Sequence, residues 1–342
     1  MSMIHEILLP ERVYVGYNVF PKIPEYLKIR GFRKPLILTD KNTVDISGRV
    51  LEKLILDAIV ETINGKDLIN VVKEESVDVV IGNGGGRVID SAKIVAHATN
   101  IPYISVPTAA SHDGISSPIA VTGPGKSIFV GPPIAIFMDM GTILSAPRRL
   151  LISGCGDLIA KVNAVMDWEF AHRKRGEYFG NYAASLARNA GYTVIENAEG
   201  IATWKPEAVR NILEALISSG VAMCIAGSSR PCSGSEHLFS HALDITLPNK
   251  SSLHGEQCGV GTIMMQYLHS SDWSLIKKVL MKIGAPVNAD ELGIEETFIV
   301  RALTMAHTIR DRYTILGVDG ITEEAAWELI KATGVSKFDK GR

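Results

Sequence analysis

The stretch Gly82-Asn83-Gly84-Gly85-Gly86-Arg87-Val88-Ile89-Asp90 constrains the chain more than any other. An apolar run, Val77 to Ile81, leads into it, and a helical pattern from Val88 to Ala98 leads out. Strand, glycine turn, helix is an order that lets backbone come close to a ligand, because glycine puts no side chain in the way. The N–H groups at the start of the helix then face an anion, and the helix dipole favours negative charge there. The stretch reads as a pyrophosphate cradle; the competing reading is a plain tight turn of an α/β domain. Two familiar anion motifs are excluded. The sixth position of G-x-G-x-x-G from Gly82 is Arg87. A Walker A loop ending at Gly125-Lys126-Ser127 needs glycine where Ala120 stands. Gly123-Pro124-Gly125-Lys126 reads instead as a hairpin turn.

Around the cradle, residues 12–16, 35–40, 77–81, 102–108 and 135–139 read as strands, and 118–130 as a hairpin. Helices are expected over 47–59 and 67–75. Asp40 ends a strand, where a carboxylate binds a ribose hydroxyl or caps a turn. Thr108, Ser111, Asp113 and Ser117 follow the carboxyl end of another strand, the ligand zone of an open parallel sheet. Ser145-Ala146-Pro147-Arg148-Arg149 starts a helix with proline in its first turn. Beyond it the apolar spacing is three and four, with no strand expected. The expected architecture is α/β plus all-α: a Rossmann-like dinucleotide-binding domain over 1–145 and an all-helical domain over 146–342. The crevice between them is the expected ligand site. Residues 337–342 read as a frayed end.

Composition narrows the function classes. The chain has 342 residues, 46% hydrophobic and 21% charged, with 35 basic and 37 acidic residues and a net charge of −2. That balance gives no basic field for nucleic acid. No run of 18 uninterrupted apolar residues occurs, so no membrane span is expected. Cys155, Cys224, Cys232 and Cys258 form no C-x-x-C pair, which fits a reduced, cytoplasmic setting.

The second half carries a different chemistry. Asp157 and Lys161 lie four residues apart in Gly156-Asp157-Leu158-Ile159-Ala160-Lys161, on one helical face. His237 and His241 repeat that spacing, and His254 follows in Leu253-His254-Gly255-Glu256. One acid with two or three histidines is able to hold a divalent metal, and zinc and iron both suit such donors. An i, i+4 histidine pair also occurs as ordinary buried or surface residues. H-E-x-x-H is absent, so zincin-type proteolysis has no support.

Taken in order, Gly84 to Asp90, Val106-Pro107-Thr108, Gly156-Asp157, His237-x3-His241 and His254 resemble the superfamily of iron-containing alcohol dehydrogenases, glycerol dehydrogenases and dehydroquinate synthases. Within it, residues 107–114 and Ser228-Ser229-Arg230-Pro231-Cys232-Ser233-Gly234-Ser235-Glu236-His237-Leu238 look like the archaeal sn-glycerol-1-phosphate dehydrogenases. The resemblance implies a dehydroquinate synthase-like fold with its active site between the two domains. It implies Asp157, His237 and His254 as metal ligands, zinc before iron. It implies dinucleotide contacts from Gly84, Gly85, Gly86, Arg87, Val88, Asp90, Thr108 and Ser117. Asp113, Asp157 and His241 would face substrate, with Asp113 and His241 catalytic. Arg230, seven residues before His237, would clamp a substrate phosphate through its planar fork, or else cap a helix start.

The reaction so implied is NAD(P)H-dependent reduction of dihydroxyacetone phosphate to sn-glycerol 1-phosphate, the backbone of archaeal ether lipids. His241 would relay the proton. Asp40 argues for NAD, because a carboxylate repels a 2′-phosphate, while Lys41 offsets that and leaves dual NAD/NADP use open. Competing readings are a glycerol dehydrogenase, a dehydroquinate synthase-type lyase and a non-catalytic nucleotide- and metal-binding protein. A homo-oligomer is expected by analogy.

Overall fold

A computed structural model of the chain describes residues 4–123, 125–247 and 252–336. It forms two compact units, Met1–Thr122 with Ser127–Leu151, and Gly123–Lys126 with Ile152–Arg342.

The first unit is built on six strands: β1 (Arg12–Gly16), β2 (Pro35–Thr39), β3 (Ile59–Thr62), β4 (Val79–Gly84), β5 (Tyr103–Pro107) and β8 (Ala135–Asp139). Their order is β1-β8-β5-β4-β2-β3 and every pairing is parallel. β6 (Ile119–Gly123) and β7 (Lys126–Phe129) form a separate two-stranded sheet. The central strands are apolar without a break because both faces are covered. Alternate residues serve different cores. Ile37, Val79, Ile81, Ile104 and Phe137 pack with Ile23, Leu27 and Leu51 on one face. Leu36, Leu38, Val80 and Tyr103 pack with Val88, Ala92 and Val95 of the cradle helix on the other.

Two expectations change. The helix expected over 47–59 is a wide turn (Val44–Gly48), a short helix (Arg49–Leu54) and then β3. Asp57, at φ 62, reverses the backbone, and Ile59 then pairs with Leu36. β3 is a half-buried edge strand of four residues, too short to print an alternation against the preceding helical spacing. The boundary near 145 also moves. The helix Arg148–Arg175 runs unbroken past the division at Leu151, and residues 123–126 belong with the second unit. A change of apolar period marks where a helix begins, not which core its first turn joins. At the hairpin turn Gly125 has φ +69, while Pro124 and the tail 337–342 lie outside the described residues.

Between 146 and 336 the described residues contain no strand. The helices Asn181–Glu196 and Pro206–Ala226 pack along each other, and Ser235–Thr246 packs along His254–Leu268. Pro206–Ala226 is apolar and long enough to cross a membrane, but most of it is buried within the second unit, as a core helix is.

The cradle helix Gly86–Thr99 carries an unexpected internal fastening. Lys93 is fully buried. Its Nζ donates to the carbonyls of Gly114 at 2.5 Å and Ile119 at 2.7 Å, and to Asp90 Oδ1 at 3.2 Å. It thereby ties the helix to the segment that follows β5. Lys93→Met keeps the length and leaves those buried acceptors unmet. Chemical denaturation should show a loss of about 3 kcal/mol; an unchanged unfolding curve would show the fastening to be idle.

Candidate active site

At the cradle, none of Gly82, Gly84, Gly85 and Gly86 has positive φ. Their role is space. A Cβ on Gly84 would sit 2.6 Å from Val88 Cγ2, and one on Gly82 would sit 2.8 Å from Ala92 Cβ. These two let the helix lie against the sheet. A Cβ on Gly86 would collide with the His112 ring. His112 Nδ1 meanwhile accepts from Gly114 N at 3.0 Å. Gly85 has nothing within 4 Å of its Cβ position, and no side chain caps the helix start. An uncapped helix N-terminus behind an open glycine is suited to an anion, so the residues present fit a dinucleotide pyrophosphate.

The residues around the cradle divide by what they touch. Thr108 N donates to Gly84 O at 3.0 Å, joining the ends of β4 and β5. Asn83 accepts from Ser47 Oγ at 2.8 Å. Arg87 is exposed at the helix start. Val88 is buried beneath Gly84. Asp90 receives Lys93 at one oxygen and Val121 N, at 3.4 Å, at the other. Val88 and Asp90 therefore shape the cradle from behind, and their side chains are engaged by the scaffold. Ser117 donates its N–H to Asp113 O at 3.0 Å and its hydroxyl to Ile119 O at 3.2 Å. Asp113 opens the turn Asp113–Ile115. Of the two readings of Asp40, the turn cap is observed. Its Oδ1 accepts from Asn42 N at 2.9 Å, Thr43 N at 3.0 Å and Thr43 Oγ1 at 3.0 Å.

In the second unit, three helices converge. Arg148–Arg175 brings Asp157 and Lys161, Ser235–Thr246 brings His237 and His241, and His254–Leu268 brings His254 and Cys258. The first and third meet backbone to backbone. A Cβ on Gly156 would collide with the Gly255 carbonyl, and one on Gly255 would collide with the Ser153 carbonyl. That approach sets Asp157 beside His254.

One donor atom each from Asp157, His237, His254 and Cys258 lies within 4.8 Å of all the others. His237 Nε2 is 3.2 Å from Asp157 Oδ1, and His254 Nε2 is 4.0 Å from the same oxygen. The opposite ring nitrogens are held from behind. His237 Nδ1–H donates to Glu236 Oε1 at 2.7 Å. Ser240 donates to Gln257 Oε1 at 2.6 Å, so His254 Nδ1–H donates to Ser240 Oγ at 3.0 Å. Fixing Nδ1 and presenting Nε2 is how outer partners orient metal-binding histidines. Glu236 is itself held by Gly234 N at 2.7 Å and by Asn163. Two imidazoles, a carboxylate and a thiol are donors that fit a divalent cation such as zinc.

The charges are interlocked. Lys161 Nζ, fully buried, is 2.8 Å from Asp157 Oδ1. Burial alone would raise the Asp157 pKa, but Lys161 and His237 overcome it and hold it well below the usual range. Burial opposes a charge on His237; contacts with Cys258, Asp157 and Glu236 prevail and push its pKa well above the usual value.

His241 stands beside the cluster, its ring centroid 5.8 Å from that of His254. Arg310 NH2 donates to His241 Nε2 at 3.1 Å, which leaves the imidazole proton on Nδ1. Arg230 does not offer the open fork expected of it. Its Nε and NH2 bond the two oxygens of Glu177, and NH1 donates to Tyr313 O at 3.0 Å. In this structure a protein carboxylate occupies the bidentate position expected for a substrate phosphate. Arg312 is likewise spent, on Ser233 O and on Ser229 Oγ at 2.7 Å. Its pKa is brought down to about 9 by burial and by the neighbouring Arg230 and Arg310.

Sequence reasoning missed Cys258, Glu236, Ser240 and Arg310. Cys258 and Glu236 did carry a signal, one lying four residues after His254 and the other adjoining His237. Arg310 follows the last turn of a helix, where no periodicity points inward. Removing His254 tests the cluster directly. After gel filtration in metal-free buffer, His254→Ala should retain almost no divalent metal by elemental analysis, while the unaltered chain retains it. Equal metal content would remove His254 from the donor set.

Comparison with known proteins identifies the family. The family model for iron-containing alcohol dehydrogenases matches residues 14–147. The glycerol-1-phosphate dehydrogenase [NAD(P)+] of Staphylothermus marinus is 49% identical, over 97% of this chain and 98% of that one. The enzyme of the same name from Thermococcus sibiricus is 47% identical, over 98% and 99%. Among solved structures, the glycerol dehydrogenase of Schizosaccharomyces pombe superposes with a TM-score of 0.79 at 24% identity, covering 97% of this chain and 91% of that one. At that identity the last shows the fold alone. Identity near one half over almost the whole length shows more: the chain belongs to the glycerol-1-phosphate dehydrogenase [NAD(P)+] family.

Proposed function

We propose that the chain reduces dihydroxyacetone phosphate to sn-glycerol 1-phosphate, using NADH or NADPH and a divalent cation held by Asp157, His237 and His254. The observation that carries this is the pair of imidazoles turned by Glu236 and Ser240 so that both Nε2 atoms address one carboxylate oxygen. The names of the relatives support the substrate and the cofactor class. When bound, the cation supplies Lewis-acid polarisation of the ketone oxygen and the reduced nicotinamide supplies the hydride.

The chain's own groups do the rest. The uncapped helix start at Gly86, behind Gly85, takes the pyrophosphate of the dinucleotide. Asp40, whose Oδ1 caps its own turn, would offer Oδ2 to the ribose hydroxyls from the end of β2, the strand paired with β4. Thr108 and Ser117, beyond the end of β5, would contact the dinucleotide, and Asp113 would face the substrate. His241 supplies the proton from Nδ1, the nitrogen that Arg310 leaves protonated. Arg310 takes the phosphate role once expected of Arg230. It is half-buried beside His241, whose ring centroid is 5.8 Å from that of His254, and guanidinium suits phosphate. Zinc suits the donor set better than iron. The reading extends to the cytoplasm and to supply of the glycerophosphate backbone of archaeal ether lipids.

The test is oxidation of NADH and of NADPH with dihydroxyacetone phosphate, followed by nicotinamide absorbance and by the product's enantiomer. Oxidation lost with chelator, restored with zinc and yielding the sn-1 isomer is the expected result. Turnover of glycerol but not of the phosphate ester would sink it. Arg310→Ala should raise KM for dihydroxyacetone phosphate about 10- to 100-fold, the worth of a charge-assisted contact. The KM for unphosphorylated dihydroxyacetone should move far less. Equal changes for both ketones would mean that Arg310 does not read the phosphate.

A further inference from the structure

We infer that Cys258 is a fourth donor to the cation bound by Asp157, His237 and His254, so that in the absence of substrate a thiolate closes the centre. The inference rests on the reading of those three residues as a cation site.

Cys258 is fully buried, four residues after His254 on one helix, so the two side chains share a face. Its Sγ is 3.5 Å from His254 Nε2. Zinc–sulfur and zinc–nitrogen bonds of about 2.3 and 2.05 Å at the tetrahedral angle put S and N about 3.5 Å apart. The His237 Nε2 to Asp157 Oδ1 distance is 3.2 Å. Bonds of about 2.0 Å predict an N–O edge of about 3.3 Å. The sulfur edge thus has tetrahedral length before any ion is considered, and Sγ also lies within 4.8 Å of the Asp157 and His237 donors.

The side chain chosen matters as much as its place. The thiol stands in a helix of close contacts, between Gly255 and Gly259, where alanine or valine would fill space without a donor. Binding forms a metal–sulfur bond and releases the thiol proton to solvent. A soft sulfur donor biases the site toward zinc and cobalt and away from magnesium and manganese. Four protein donors also leave the substrate oxygen no vacant tetrahedral position. Substrate then enters by expansion to five donors or by release of the sulfur.

The experiment is cobalt substitution read by absorption spectroscopy on the whole chain. The protein is stripped with chelator and reloaded with Co²⁺. Visible d–d bands report cobalt in the site, and an intense near-ultraviolet sulfur-to-cobalt band reports a thiolate bond. Both are expected for the unaltered chain. Cys258→Ser should keep the d–d bands and lose the sulfur band, and its zinc affinity, by competition with a chromophoric chelator, should fall about 10- to 100-fold. Cys224→Ser, on the helix Pro206–Ala226, should keep both bands. Bound cobalt without a sulfur band in the unaltered chain overturns the inference, and so does a sulfur band that survives in Cys258→Ser. Absence of d–d bands altogether overturns the cation site beneath it, a separate and recognisable failure.

Discussion

Everything in the second unit depends on two helices touching through their backbones at Gly156 and Gly255. Side chains on both faces usually hold packed helices 8–10 Å apart. Here a Cβ on either glycine would run into the other segment's main chain, at the Gly255 or the Ser153 carbonyl. That closeness is what brings a short aspartate on one helix within 4.0 Å of a histidine on the other. Gly259 extends the seam, its Cβ position 3.6 Å from Gly156 Cα. The third helix is drawn in by the same means, since a Cβ on Gly261 would stand 3.1 Å from Glu236 O. Small residues at the contact therefore decide where the large polar ones meet.

Placing so many polar groups in a dry interior costs free energy, and the structure shows how it is contained. Asp167, fully buried, accepts from Ser235 N at 2.7 Å and Ser235 Oγ at 2.6 Å through one oxygen. Through the other it accepts from Ile315 N at 2.7 Å and His269 at 3.0 Å. Asn163 then links Asp167 to Glu236, and Glu236 holds His237. This chain of contacts runs from the scaffold to the donor nitrogen without a charged group left to solvate itself. Lys161 plays the matching part at the other end, because its ammonium keeps Asp157 ionised in a place where burial alone would protonate it. A carboxylate kept charged in a low-dielectric site is a strong attractor for a cation.

Much of this was legible in the sequence, and the misses have a common cause. The cradle was found because strand, glycines and helix are all local. The reason for the glycines was not, since what crowds Gly86 is His112, twenty-six residues away and beyond β5. Asp157, His237 and His254 were singled out by their order and resemblance to a family, and the structure brings them together. The pairing of Arg230 was not legible because its partner, Glu177, lies fifty-three residues earlier on a segment with no pattern of its own. β3 went unseen because a four-residue edge strand is defined by its neighbour β2 and not by its own alternation. Lys93 shows the same limit from the opposite side. It occupies an apolar position of the cradle helix, and only the carbonyls of Gly114 and Ile119 explain a lysine there.

The two arginines near the cluster illustrate why a residue's type is not its role. Arg230 and Arg312 spend their donors on Glu177, Tyr313, Ser229 and Ser233, and so fix the segments that flank the helix carrying His237. Arg310 instead reaches the imidazole of His241. A guanidinium is a permanent cation, so its bond to His241 Nε2 leaves that nitrogen unprotonated and fixes which tautomer the histidine adopts. One side chain thereby orients a titratable group and sets a positive charge against the His241 ring. A doubly charged ester would be drawn to that charge, and an uncharged polyol would gain nothing from it. On the proposed reading, a phosphorylated ketone would be selected by where this half-buried donor points, while Arg230 and Arg312 hold the segments around it.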